Sequence, residues 1–292
     1  MIQHFNGKFD KLDEVKLDKP DKESIIAALK DIDTKLVSAK SGEEAIKTIK
    51  EYFTLSDDLS TVFALIYIRH TINTKDPTYI ELNNLLDEIG PSINEASNQV
   101  DKDIYNSKFR PELEKKFGKL YFEEVALSMK TFSPEIVPDL VEENKLTSEY
   151  VNLISGALIE YKGQKYSIPQ MGKFTNSLDR NTRAEASKLT WAFYADNDDK
   201  IGDIYDRMVK VRTKIAKKLG YANFLQLGYD RMGRLDWTPK DAEIYRKKIL
   251  DYIVPLSESI CKAQKERLGY GADTKYYDYA IFYKTGNPTP KG

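Results

Sequence analysis

Two histidines, one cysteine and a scatter of carboxylates are the side chains here from which hydrolytic or metal chemistry could be built. His70 sits in YIRHTINT, with no glutamate beside it and no second histidine four residues on. The HExxH pattern, which sets two imidazoles on one helical face with a glutamate between them, is therefore absent, and no His-rich zinc site can be assembled. His70 reads as an ordinary partly buried residue. His4, close to a terminus, reads as solvated. Cys261 lies in helical register between Ile260 and Lys262 and reads as a half-buried structural thiol. A single cysteine excludes an intrachain disulfide framework and a thiolate metal cluster.

Glu112, Glu114, Glu123, Glu124, Glu142 and Glu143 crowd one region. Close carboxylates on helices form solvated faces or salt bridges to nearby lysines. An acid/base pair or a carboxylate-only metal site needs a convergence that spacing alone does not establish. No G-x-S-x-G elbow is present, and neither G-x-G-x-x-G nor G-x-x-x-x-G-K occurs. Tyr276, Tyr277, Tyr279, Phe282 and Tyr283 are packed more densely than a core needs. They can pack between helices, line a cleft or seat a partner domain, since exposed aromatic clusters mark interfaces. No residue receives a catalytic, cofactor-binding or metal-binding role.

The elements that would position these groups are mostly helical. Ile25, Leu29, Ile32 and Leu36 share a helical face. A second helix is predicted from Gly42 to about Thr74, with a break near Leu55–Asp58. A third carries Tyr79, Leu82, Leu86, Ile89, Ile93, Ala96 and Val100 at alternating steps, behind an Asp76-Pro77 start. Gly90-Pro91 should kink or break it, because proline removes an internal hydrogen bond. This stripe reads as antiparallel packing within the chain rather than as a coiled-coil dimer seam. Shorter helices follow over 108–156.

The alternation in ALIEYKGQKYSI predicts one β-hairpin near residues 157–169, reversing at Lys162-Gly163-Gln164. Thr182 with Glu185 offers a capping box. A stripe from Ile201 to Leu219 closes on Gly220, and Trp237-Thr238-Pro239 opens a long helix to about Leu268, closed by Gly269. The fold class expected is mainly α, a multi-helix array of antiparallel helices with one hairpin.

Lys+Arg at 45 against Asp+Glu at 46 gives a formal net charge of -1. That balance argues against a nucleic-acid partner, which favours a basic excess. The longest apolar run, Val62 to Ile68, is far short of the roughly 20 residues of a membrane helix, so no membrane partner is expected. The first residues have no apolar h-region of a signal peptide, and a cytoplasmic setting follows.

Several stretches taken together resemble one family. They are ISGALIEYKGQKYSIPQM, then NSLDRNTRAEASKLTWAFYADN with its Asp179-Arg180-x-x-Arg183-Ala184. Next come VKVRTKIAKKLGYANFLQLGYDRMGRLDWTPKD, carrying Arg212, Ala216 and Leu219-Gly220-Tyr221, and IVPLSESICKAQKERLGYG. YYDYAIFYKTGNPTPKG ends the set. Their order is similar to that of the front part of oligoendopeptidase F, among the thimet-type zinc metallopeptidases. The resemblance implies an almost wholly helical enzyme of two lobes around a narrow channel, which cleaves short peptides internally. It implies a zinc held by HExxH and a later glutamate, with the zinc-bound water attacking the carbonyl and the motif's glutamate as base. It implies that those elements lie downstream of GNPTP.

The chain is thus expected to be the N-terminal part of such an enzyme, a truncated piece forming one channel wall and inactive alone, with no zinc bound to it. A stand-alone helical interaction module is the alternative. The division expected is 1–110, a helical region; 111–185, the lobe with the hairpin; and 186–292, the start of the peptidase domain. Its partners would be short peptides in the whole enzyme, and copies of itself through an uncovered apolar surface. Whether Tyr276, Tyr277, Tyr279 and Tyr283 touch substrate is open at this point.

Overall fold

Aspartate and serine side chains start the helices of the first third of the chain. The computed structural model describes residues 15–289; His4 lies outside them. In α1 (Lys22–Ser38), Asp21 accepts from the Ser24 amide, and Ile25, Leu29, Ile32 and Leu36 are buried as one stripe. Ser41 caps α2 (Gly42–Ile72). Asp76 caps α3 (Pro77–Tyr105), accepting from the amides of Thr78 and Tyr79. Such caps satisfy amides that have no partner within the helix.

At the two interruptions expected from the sequence, neither helix breaks. α2 runs unbroken through Leu55–Asp58, because Tyr52, Leu55, Leu59 and Val62 keep one buried face going. α3 likewise runs through Gly90-Pro91 as one helix. An internal proline costs about 3 kcal/mol in an isolated helix. Here Ile89, Pro91 and Ile93 are all buried, and that packing offsets the lost bond.

The remaining elements in order are α4 (Arg110–Phe117), α5 (Lys119–Thr131), a short 3-10 turn and α6 (Val137–Ser155). Then come β1 (Ile159–Tyr161), β2 (Gln164–Tyr166), α7 (Ile168–Thr175), α8 (Arg180–Asp196) and α9 (Asp198–Lys218). Last are α10 (Phe224–Arg231), α11 (Pro239–Lys248) and α12 (Val254–Leu268). The mainly helical fold with one antiparallel hairpin is the one expected. Among the described residues no helix is long and apolar enough to cross a membrane.

The chain divides into two compact units that interleave in sequence: 1–149 with 206–236, and 150–205 with 237–292.

In the first unit, α1, α2 and α3 bury one large core with Leu113 of α4 and Phe122 of α5. A second core joins Ile136 and Leu146 to Val211, Ile215 and Leu227 of α9 and α10. α9 ends as predicted at Gly220, whose φ of 81° places it in the left-handed region, while the Tyr221 amide reaches back to the Ala216 carbonyl at 2.9 Å.

In the second unit, β1 and β2 pair Ile159 with Tyr166 and Tyr161 with Gln164. Lys162 and Gly163 turn the chain with φ of 51° and 75°, both left-handed, as a two-residue hairpin requires. Ile159, Tyr161, Met171 and Ala186 form the core beneath. The cap of α8 is Asp179, which accepts from the Thr182 amide at 2.7 Å, and not Thr182 itself. Glu185 instead accepts from the Tyr161 hydroxyl at 3.2 Å. Asp179 is three residues closer to the turn and already carries a charge that suits a helix N-terminus.

The long helix expected over 239–268 contains a π turn at Ile249–Ile253, between α11 and α12. Pro255 follows it in the first turn of α12. Proline cannot supply an N–H to a regular ladder, and a π turn re-registers the chain just before that point.

Candidate functional site

Arg180 and Arg183 stand three residues apart at the start of α8, so both guanidiniums leave the same helical face. Arg183 is wholly buried, so its guanidinium needs an anion or carbonyls. Asp278, also wholly buried, supplies the charge. It lies in a 3-10 turn at Tyr276–Ala280.

The Asp278 carboxylate has no spare acceptor site. Oδ1 accepts from Arg180 Nε at 3.0 Å and from Arg183 Nη2 at 3.0 Å. Oδ2 accepts from Arg180 Nη2 at 2.8 Å and from the Lys275 amide at 2.9 Å. Burial works to raise its pKa, but the bonds from Arg180, the Lys275 amide and Arg183 outweigh it and hold the carboxyl below its ordinary range. A carboxylate so saturated is a poor proton acceptor, so this group positions chain rather than moving protons.

Arg180 also donates to Asp273 Oδ2 at 2.8 Å and to the Asp273 carbonyl at 2.7 Å, which holds the Asp273 carboxyl down as well. Its guanidinium lies 4.2 Å from the Tyr270 ring centre. Arg183 donates onward to the carbonyls of Ser177 and Leu178, at 2.8 and 3.0 Å.

The backbone after Asp278 is fixed by side chains rather than by a ladder. Gln264 of α12 donates to the carbonyls of Tyr279 and Ile281, at 3.1 and 2.8 Å. Arg267 donates to the Phe282 carbonyl at 2.9 Å. Asn287 donates to the Ala280 carbonyl at 2.8 Å and accepts from the Phe282 amide at 2.7 Å. An irregular segment is thereby held at nearly every carbonyl, and its aromatics sit at defined positions.

Four of those aromatics face out: Tyr276, Tyr279, Phe282 and Tyr283 are 57%, 38%, 46% and 44% exposed. Tyr277 is partly buried and meets Tyr276 edge to face, at 5.3 Å between ring centres. Lys265 lies over Tyr279 and Arg267 over Tyr283, at 5.6 and 4.5 Å. Rings with cations on one face and solvent on the other can stack against apolar or planar groups and attract carboxylates. The sequence marked the aromatic run. It gave Asp278, Gln264 and Asn287 no role, since their partners lie far off in sequence or are backbone carbonyls. The paired arginines in Asp179-Arg180-x-x-Arg183 were the one available signal.

The first unit holds a second buried ion cluster. Glu143, 5% exposed, accepts from Arg212 Nε at 2.7 Å and from both Arg231 terminal nitrogens at 2.9 Å. This corrects the reading of Glu143 as a surface carboxylate paired to lysine; arginine forks are needed because the group is out of water. Asp139 takes Lys214 and Lys218 at 2.6 and 2.7 Å. Glu114 and Glu123 do form surface pairs, with Arg110 and Lys119.

His70 is 2% exposed, more buried than expected, inside α2. Cys261 is half-buried, as read from the sequence. Among the described residues no three His, Cys, Asp or Glu side chains converge to hold a metal ion.

A family model for the peptidase M3 N-terminal domain matches residues 12–132. No curated protein sequence matches. The chain is similar to a solved PZ peptidase A with an inhibitor, at 38% identity and a TM-score of 0.92, over 97% of this chain and 50% of that one. It is similar to an oligoendopeptidase F from Bacillus anthracis str. Ames at 37% identity and a TM-score of 0.91, over 96% of this chain and 51% of that one. A further oligoendopeptidase F structure matches at 35% identity and a TM-score of 0.91. The chain thus spans about half the length of these relatives. With the domain match and a shared fold along nearly all its residues, this chain is similar to the peptidase M3 N-terminal domain and to about half of each oligoendopeptidase F structure.

Proposed function

We propose that this chain is the N-terminal portion of a zinc-dependent oligoendopeptidase, acting in the cytoplasm on internal bonds of short peptides. In this reading its helices form one wall of the channel that admits unfolded peptides and excludes folded proteins. The observation that carries it is the likeness to oligoendopeptidase F along nearly the whole chain, at 35–38% identity. The three-segment division at 110 and 185 stays part of the proposal.

Hydrolysis requires a metal site that these residues do not supply. The chain has two histidines, and His70 is locked inside a helix core. Its own contribution is therefore shape: buried Arg183 and Asp278 hold the irregular segment that presents Tyr279 and Tyr283. Rigid aromatic platforms suit peptide chains of varied sequence, because stacking does not read side-chain identity closely.

A chimera tests this. The chain is joined to the second half of the Bacillus anthracis relative and assayed with quenched-fluorescent peptides beside the chain alone. Chelator-sensitive cleavage by the chimera and none by the chain alone is expected. A folded, zinc-loaded chimera that cleaves no peptide would overturn the reading.

A further inference from the structure

In the second unit, the long helix made of α11, the π turn and α12 has a middle that the chain leaves bare. Of its residues only Ala242, Gln264 and Leu268 are buried. From Glu243 to Ile260 every residue except Ile249 is exposed. A helix bathed in water is normally polar all round. Here Ile244, Tyr245, Tyr252, Ile253, Leu256 and Ile260 are each more than half exposed. The π turn at Ile249–Ile253 inserts one residue into the regular 3.6-residue winding. With that insertion counted, the six side chains fall within roughly a third of the helix circumference, beside the face that Ala242 and Leu268 bury.

Together these side chains offer on the order of 700 Å² of exposed surface, above the roughly 300–600 Å² of the largest patch on a typical monomer. A standard stable interface takes about 800 Å² from each partner. The stripe is also laid out to meet itself. Ile244 and Ile260 stand equally far from Tyr252, on either side of it. Two copies crossing antiparallel at Tyr252 bring the Ile244 end of each stripe against the Ile260 end of the other, and a twofold interface uses one patch twice in this way. A lipid surface fits less well. Helices that lie on membranes carry a polar face rich in Lys and Arg, whereas Asp241, Glu243, Asp251 and Glu258 are interspersed here.

We propose that the face carrying Tyr252, Leu256 and Ile260 docks a second copy of this chain, as an antiparallel helix pair with Tyr252 on the twofold axis. Burying the six side chains supplies the driving force, and the surrounding charges stay at the solvated rim. The surface is distinct from the segment that presents Tyr279 and Tyr283, and the inference stands whether or not the peptidase reading does.

Sedimentation equilibrium of the full chain tests it. The unaltered protein is expected to pass from one to two chain masses as its concentration rises from about 1 to 100 μM. A Leu256→Asp, Ile260→Asp double variant with an unchanged helical spectrum is expected to dimerise at least roughly tenfold more weakly. Cross-linking keeps the test independent of that variant. With Cys261→Ser as background, Tyr252→Cys is expected to form a disulfide-linked dimer under mild oxidation, and Val37→Cys, on an exposed position of α1, is not. A chain that stays monomeric throughout overturns the proposal. So does a dimer that survives the double aspartate variant undiminished, or one that Val37→Cys links as readily as Tyr252→Cys. A monomer that instead sediments with phosphatidylglycerol vesicles, or pairs only with the second half of the Bacillus anthracis relative, also overturns it and gives the face to that occupant.

Discussion

Arg183 and Asp278 are both wholly buried, 95 residues apart in sequence, and joined at 3.0 Å. The pair ties the start of α8 to an otherwise irregular segment, and with Arg180 it leaves no acceptor site on the carboxylate unused. Removing one member strands the other's charge away from water.

Asp278→Asn is therefore expected to destabilise the protein by roughly 3–5 kcal/mol, the usual cost of orphaning a buried charge. Urea unfolding measures the loss. Hydrogen exchange should quicken first over residues 270–287, where Gln264 and Asn287 can no longer hold the backbone alone. A loss under about 1 kcal/mol would show that water reaches the pair.

The two units should respond to pH in opposite directions. Bonds from Arg180 hold Asp278 and Asp273 below the ordinary carboxyl range. A depressed carboxyl pKa stabilises above the unfolded value of about 3.9, and that contribution is lost as pH falls through the folded value. In the first unit, burial pushes Asp33 up to about 6, reinforced by the Asp103 carboxyl, and burial pushes Asp101 up to about 6. A raised pKa stabilises below the unfolded value and is lost as pH rises through the folded one. Exchange protection of α1 and α3, corrected for intrinsic rates, should fall as pH rises from about 4 to about 6.5 and level off above that, while that of 270–287 holds until the pH drops below about 4. Uniform behaviour of both units would contradict the assignment.

Lys162 occupies a left-handed position that favours asparagine or glycine. Lys162→Asn should stabilise by about 0.5 kcal/mol, read as a higher midpoint at unchanged m-value. A lower midpoint would mean that the lysine's contact with Tyr161 outweighs the backbone gain.

Glu143→Gln leaves Arg212 and Arg231 facing each other without an anion. A loss of roughly 2–4 kcal/mol is expected in thermal or urea unfolding, with the core around Ile215 and Leu227 loosened. The companion Glu142→Gln, at an exposed position, should change stability by less than about 0.5 kcal/mol.

The helices, the hairpin and the Gly220 cap were legible because each depends on neighbours in sequence. The stripe Ile25, Leu29, Ile32, Leu36 states its own face, and Lys162-Gly163 states its own turn. The continuity of α2 and α3 was not legible: whether Pro91 breaks a helix depends on what covers it, and that cover comes from other elements. The same limit hid the roles of Asp278 and Glu143. Nothing local distinguishes either from a surface carboxylate, and only the fold brings them their arginines.

The central claim is that these residues build a scaffold and hold no catalytic metal of their own. Zinc analysis of the 292-residue chain, equilibrated with buffered zinc and then assayed on a quenched-fluorescent peptide, addresses it directly. The account predicts far less than one tightly held zinc per chain and no chelator-sensitive cleavage. One tightly bound zinc accompanied by chelator-sensitive peptide hydrolysis would contradict it.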